Sequence, residues 1–300
     1  MNSILQIEGL SKKFGKIEAV KNLNLSINQG EVFGILGPNG SGKTTTLGMV
    51  LGVVHQSAGT YKWFGQEPSN DIRKKIGSVL ETPNFYPYLS ARNNLKLAAR
   101  IKGVDFSTID EVLTTVGLFE RAESPFRTFS YGMKQRLAIG AALLGNPQAL
   151  ILDEPTNGLD PQGIAEIRQL VTKIASRGIT IILASHLLDE VQKICSHVAI
   201  IRKGQLLFSG AVDSILGTTD SLEIGAENMV ALQQHLLNYQ DVKEVKQENG
   251  LLIVNFSQKP NPADLNQWLT NQGIYISHLA YRQRSLESQF LELLKNPSKS

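Results

Sequence analysis

Gly37-Pro38-Asn39-Gly40-Ser41-Gly42-Lys43-Thr44 places glycines, a lysine and a hydroxyl at the spacing G-x-x-x-x-G-K-[ST]. Glycines there let consecutive backbone N–H groups turn inward around phosphate oxygens, and a helix starting at the lysine adds its dipole. Lys43 then reaches the β- and γ-phosphates of a nucleoside triphosphate, and the Thr44 hydroxyl holds Mg²⁺. A second group of residues, Asp153-Glu154, closes the apolar run that begins at Ala149. Asp153 at a strand tip suits Mg²⁺, directly or through water, and leaves Glu154 to orient and polarise an attacking water. Together these groups could hydrolyse a phosphoanhydride. A chance glycine turn is the bland alternative for the loop, but a strand before it and a helix after it argue against that. A solvated acidic loop end is the alternative for the two acids, and the phosphate loop upstream argues against it.

Positioning such groups needs strands that end side by side. Short β-branched runs alternate with helical patterns, which predicts an α/β fold. Ile4–Glu8, Leu23–Ile27, Glu31–Leu36, Ile76–Leu80, Ala149–Asp153, Thr180–Ala184 and Val198–Arg202 read as strands. Pro161–Arg177 reads as a helix capped by Asp160 and stopped by Gly178, with Ile164, Ile167, Val171 and Ile174 on one face. Between about 89 and 146 the β-runs give way to helical periodicity, as in an all-helical insert. From about 218 to 300 the pattern predicts a separate α+β module: strands at Ser221–Ile224, Val242–Lys246, Leu251–Phe256 and Tyr275–Ala280, a helix running to Tyr239, and another at Ala263–Gln272. A last helix carries Leu286, Phe290, Leu293 and Leu294 on one face.

A chain of 300 residues can bury a sizeable core. Its net charge of +3, without a dense Lys/Arg run, gives no reason to expect nucleic acid as a partner. The single cysteine, Cys195, excludes an internal disulfide and any multi-cysteine zinc site, and reads as a small buried hydrophobe. No run approaches the roughly 20 apolar residues that span a bilayer, and the first residues lack the pattern of a secretion signal. A cytoplasmic location is expected.

The run Phe129-Ser130-Tyr131-Gly132-Met133-Lys134-Gln135-Arg136 reads by itself as a helix start with Ser130 as N-cap. Placed shortly before the acidic strand, it resembles the signature L-S-G-G-Q-x-Q-R of ABC ATPases. Further resemblances follow in that family's order: Pro155-Thr156-Asn157-Gly158-Leu159-Asp160-Pro161 to the D-loop, Ser185-His186 to the switch histidine, Phe14 ahead of Val20 to the adenine-stacking aromatic, and Glu81 to the Q-loop. The resemblance spans about residues 4 to 217. It implies a P-loop NTPase of the ABC ATPase type over 1–217, with a helical subdomain near 89–146 and a small C-terminal α+β domain over 218–300.

What the resemblance implies for the site is specific. ATP contacts are expected from Phe14, Val20, the loop Gly37 to Thr44, Thr45, Ser130, Gly132 and Asp160. Mg²⁺ ligands are expected from Thr44, Glu81 and Asp153, and catalytic roles from Lys43, Glu154 and His186. Two such subunits would close head to tail over two ATP molecules, Ser130 and Gly132 of one touching the γ-phosphate held by the other. The partner would be a permease in a separate chain, which holds the subunit at the inner face of the membrane.

Three departures mark this chain. Glu81 stands for the usual glutamine, Tyr131 for a signature glycine and Met133 for its glutamine. They resemble the bacitracin, lantibiotic-immunity and daunorubicin-type exporter ATPases, which implies export of a drug or antimicrobial peptide. Tyr86 and Tyr88 are either ordinary loop packing or a contact surface for the permease. The rival function, a soluble ABC protein acting on ribosomes or nucleic acid, usually brings two cassettes or a coiled-coil insertion, and this sequence has one phosphate loop and no long heptad run. A scaffold that binds ATP without turnover fits poorly with both Glu154 and His186 present.

Overall fold

Strands β1 (Ser3–Phe14) and β2 (Ile17–Asn28) form a hairpin longer than the sequence predicts, turning at Gly15-Lys16 so that Phe14 faces Ile17. Strand β3 (Val32–Leu36) runs through the phosphate loop into helix α1 (Lys43–Val50). Strand β4 (Ala58–Trp63) then returns to pair with β1, giving an antiparallel layer in the order β2-β1-β4. No strand is read from the sequence at β4, whose second residue is Gly59. That glycine is what the pairing needs: its φ is +82°, and a Cβ would sit 2.3 Å from the Gly9 carbonyl oxygen. The computed structural model describes residues 3–80, 83–216, 221–282, 286–287 and 289–290.

The second layer is built by α2 (Asn70–Lys74), β5 (Ile76–Val79), then helices α3 (Ala91–Lys102), α4 (Ile109–Thr115) and α5 (Tyr131–Leu143). It continues with β6 (Ala149–Asp153), α6 (Pro161–Ala175), β7 (Thr180–Ser185), α7 (Leu188–Ile194), β8 (His197–Arg202) and β9 (Gln205–Ala211). The sheet order is β5-β6-β7-β3-β8-β9, parallel except for β9. Every residue of β6 and β7 is buried, as expected of parallel strands covered on both faces. Register brings three carboxyl ends level: Leu36 pairs with Ser185, and Asp153 with Ala184. Helix α6 ends two residues before the expected Arg177, because its last turn tightens, Arg177 N–H bonding to Ile174 and Gly178 N–H to Ala175.

The chain divides into two compact units, the second starting at Asp213 within helix α8 (Val212–Leu216). In the second unit come β10 (Ser221–Ala226), α9 (Met229–Leu236), β11 (Val242–Glu248), β12 (Leu251–Phe256), α10 (Pro262–Asn271) and β13 (Ile276–Tyr281). Its sheet order, β11-β12-β10-β13, is antiparallel throughout. This is the split βαβ arrangement of ferredoxin-like domains. Leu222, Ile224, Leu252 and Val254 of the sheet pack with Leu232, Leu236, Leu265 and Leu269 of the helices. Of the expected terminal helix, Leu286 is buried and Phe290 is helical, while Leu293 and Leu294 lie outside the described residues. Among the described residues no helix is long and apolar enough to cross a membrane.

One partly buried cation ties the helical segment together. Lys102, at the end of α3, donates from Nζ to the carbonyls of Ala141 (2.8 Å), Ala142 (3.0 Å) and Leu144 (3.3 Å) at the end of α5. Those carbonyls are the unpaired ones of a helix terminus, where a cation is favoured. Burial nevertheless pushes the ammonium from 10.5 down to about 8. The unfolded chain keeps that proton up to 10.5, so between pH 8 and 10.5 it binds more protons than the folded chain and stability rises with pH. We expect Lys102→Met to remove an increment on the order of 2 kcal/mol from the change in unfolding free energy between pH 8 and 10, measured by urea titration of both proteins. Identical pH dependence in the two would contradict the assignment.

Candidate active site

Helix α1 starts at the lysine of the phosphate loop, with Gly42 as its N-cap at φ +110°. Only glycine suits that place: a Cβ on Gly42 would lie 2.6 Å from the Ala19 carbonyl oxygen. Pro38, Asn39 and Gly40 form an exposed tip, while Gly37 and Ser41 are buried beneath it. Thr44 and Thr45 open the helix. The loop is therefore held from below and open above.

Lys43 is buried, and its Nζ donates to Gly37 O at 2.8 Å and Pro38 O at 3.4 Å. It also lies 3.4 Å from Glu154 Oε1. The other oxygen, Oε2, is 2.7 Å from His186 Nδ1 and 3.4 Å from the His186 backbone nitrogen. For an ionised Glu154 the Nδ1 position carries the proton and donates it to the carboxylate. Glu154 itself adopts φ +47°, a left-handed conformation uncommon outside glycine. Its N–H donates to Ala184 O at 2.9 Å, so the ladder between β6 and β7 extends one residue past the strand. The bend after that bond aims the carboxylate across the level strand ends. Beside it, Thr44 Oγ1 donates to Asp153 Oδ2 at 2.7 Å. The structure thus brings Lys43, Thr44, Asp153, Glu154 and His186 together.

Other expected residues lie elsewhere. Phe14 is half exposed at the hairpin tip, not a core aromatic. Val20 is fully buried, with a methyl 3.4 Å from where a Cβ on Gly42 would be. Its side chain supports the loop from beneath. Ser130 caps α5, accepting from Met133 N–H at 3.3 Å. Asp160 caps α6, accepting from Gly163 N–H at 2.8 Å. Ser130, Gly132 and Asp160 line one groove of about 460 Å³ together with Tyr131 and Gly158, and no phosphate-loop residue lines it. Glu81 lies outside the described residues.

Three features were missed from the sequence. The turn between β8 and β9 braces the loop: Gly204 N–H donates to Ser41 O, and Lys21 N–H to Gly204 O, both at 2.8 Å. Lys203-Gly204 signals a hairpin turn in the sequence, but not that turn's contact with the loop. Ile201 O closes the cradle, 2.2 Å from where a Cβ on Gly37 would sit. The third is Asn94 of α3, which is buried and grips the Tyr86 backbone, accepting from its N–H at 2.9 Å and donating to its carbonyl at 3.1 Å. Tyr86 and Tyr88 stay exposed above it, their rings 5.9 Å apart.

A phosphate loop at the end of a central parallel strand, with two acids and a histidine level with it, defines a nucleotide-hydrolysing cassette. Residues 20–157 match the family described as ABC transporter. The bacitracin transport ATP-binding protein BcrA of Bacillus licheniformis is 37% identical over 304 residues, covering 98% of each chain. The lantibiotic transport ATP-binding protein SrtF of Streptococcus pyogenes is 40% identical over 210 residues, 70% of this chain and 92% of that one. Among solved structures, cbiO1 of Clostridium perfringens, part of the ABC transporter complex cbiONQ, gives a TM-score of 0.67 at 30% identity over 72% of this chain and 91% of its own. A dimeric post-hydrolysis state of the cassette MJ0796 bound to ADP and Pi gives 0.61 at 27% identity, over 70% and 99%. This chain belongs to the ATP-binding proteins of ABC transporters, as the ATPase subunit.

The brace can be tested directly. Gly204 has φ +79°, and a Cβ would approach Ala19 O to 2.7 Å. We expect Gly204→Val to cost about 1–3 kcal/mol of stability through backbone strain and to weaken ATP binding, read by thermal melting and equilibrium titration. A variant that melts and binds like the parent would show that the turn does not hold the loop.

Proposed function

We propose that this chain energises an exporter of a peptide antibiotic, hydrolysing Mg-ATP as a head-to-tail dimer seated on a separate permease. The observation that carries hydrolysis is the position of Glu154, with one oxygen 3.4 Å from Lys43 Nζ and the other 2.7 Å from His186 Nδ1. A triphosphate in the loop draws Lys43 toward its β- and γ-oxygens and frees Glu154 Oε1 to accept a proton from water. His186 keeps Oε2 and so fixes the direction in which the carboxylate faces. Thr44 Oγ1 and Asp153 are hard oxygen donors of the kind Mg²⁺ takes alongside nucleotide phosphates. When bound, the ion neutralises charge on the phosphates. Glu81 joins this set on sequence grounds alone.

The dimer is supported by the separation of the signature from the phosphate loop. Ser130 and Gly132 line a groove without any loop residue, so they complete an ATP site only on a second subunit. The dimeric MJ0796 neighbour bound to ADP and Pi supports the same reading. Exposed Tyr86 and Tyr88, on a loop clamped by Asn94, suit a rigid docking surface for the permease. The cargo class rests on the bacitracin and lantibiotic transport relatives, the first matched over 98% of this chain.

Two experiments test the proposal. Glu154→Gln should keep ATP binding, slow phosphate release by about 10² to 10⁴ and accumulate an ATP-bound dimer on sizing chromatography. Near-normal turnover would remove Glu154 from the mechanism. On the Glu154→Gln background, Ser130→Arg alone should stay monomeric with ATP. Mixed with Lys43→Ala chains it should form dimers holding one composite site. Normal dimerisation of Ser130→Arg would count against contact in trans.

A further inference from the structure

Lys12 precedes Phe14 by two residues on β1, so both side chains share a face of the strand. The backbone around Lys12 is held on both sides: Ser57 N–H donates to Ser11 O at 2.8 Å, and Lys13 N–H to Ser57 Oγ at 3.0 Å. The Lys12 ammonium is held too, donating to His55 O at 2.5 Å and standing 4.8 Å from the centre of the Phe14 ring. Half of the surface of Phe14 remains exposed. Lys12 pairs across the hairpin with Val20, which packs under Gly42 of the phosphate loop.

From this geometry we infer that Lys12 is a positioning residue for nucleotide binding, covering one face of the Phe14 ring and leaving the other for the base. The inference rests on the reading of Phe14 as the base-stacking aromatic. A cation over a ring is attracted by its quadrupole, and one anchored to a backbone carbonyl fixes the ring's tilt. A ring free to rotate would spend conformational entropy when a base stacks on it. Since Lys12 pairs with Val20 beneath the loop, the platform and the phosphate cradle are joined through one hairpin. Lys12 acts on the base through Phe14, not on the phosphates.

The test compares ATP with tripolyphosphate, which fills the phosphate loop without a base, using the full chain with Mg²⁺. Lys12→Ala should raise the Kd for ATP about two- to fivefold, the scale of an exposed cation–π contact, and leave that for tripolyphosphate unchanged. Lys12→Arg should restore ATP binding, and Lys12→Ala should add nothing on a Phe14→Leu background. Equal weakening of both ligands would overturn the inference, because Lys12 would then be a charge felt by the phosphates. If Phe14→Leu selectively weakens ATP but Lys12→Ala does not, the stacking reading stands and Lys12 has no part in it. If Phe14→Leu leaves ATP binding as it was, the stacking reading falls, and Lys12 with it.

Discussion

The parallel register of β3, β6 and β7 is the constraint on which the site depends. Because Leu36 lies opposite Ser185 and Asp153 opposite Ala184, three loops leave the sheet at one level. Crossover helices make such a sheet possible and bury both of its faces, so the strands themselves carry almost nothing but apolar side chains. Chemistry is thereby confined to the strand tips and the loops that leave them. Asp153 ends β6, Glu154 and His186 directly follow β6 and β7, and Lys43 stands where the loop after β3 enters α1. A slip of one residue in any of these pairings would move a charged group by more than 3 Å, beyond hydrogen-bond reach of its neighbours.

Much of this was legible in the sequence because the physics is local. Ala149–Asp153 is a continuous apolar run with no alternative to a buried strand, and its bounds came out as read. Asp160-Pro161 announces a helix start through capping chemistry, and the side chain does accept the bond that this predicts. The phosphate loop is recognisable because only glycine tolerates its positive φ values and close carbonyls. Where the determinants are distant in sequence, reading failed. Strand β4 is defined by its approach to Gly9 and not by its own pattern. The brace from Gly204 depends on two bonds to residues more than a hundred positions away. Asn94 looks like an ordinary polar helix residue until its contacts with Tyr86 are known. Val20 was placed near the loop by sequence order, and the structure puts it on the buried side of that loop.

The Lys43–Glu154 contact also shows how one cluster can serve two stages of a cycle. At 3.4 Å the ion pair is loose, and Lys43 keeps a shorter bond, 2.8 Å, to the Gly37 carbonyl within its own loop. Lys43 is buried and Glu154 only partly accessible, so a triphosphate that draws the ammonium away takes over from Glu154 as its opposite charge.

The grip of Asn94 on Tyr86 has a mechanical side. Tyr86 is fastened to the first turns of α3, and the far end of α3 is fastened through Lys102 to the end of α5. The opposite end of α5 begins at Ser130. The aromatic loop, the two helices and the signature therefore form a crank, with the tyrosines as the handle and the serine at the end of the arm. These contacts give a load on the aromatic loop a continuous path through α3 and α5 to Ser130.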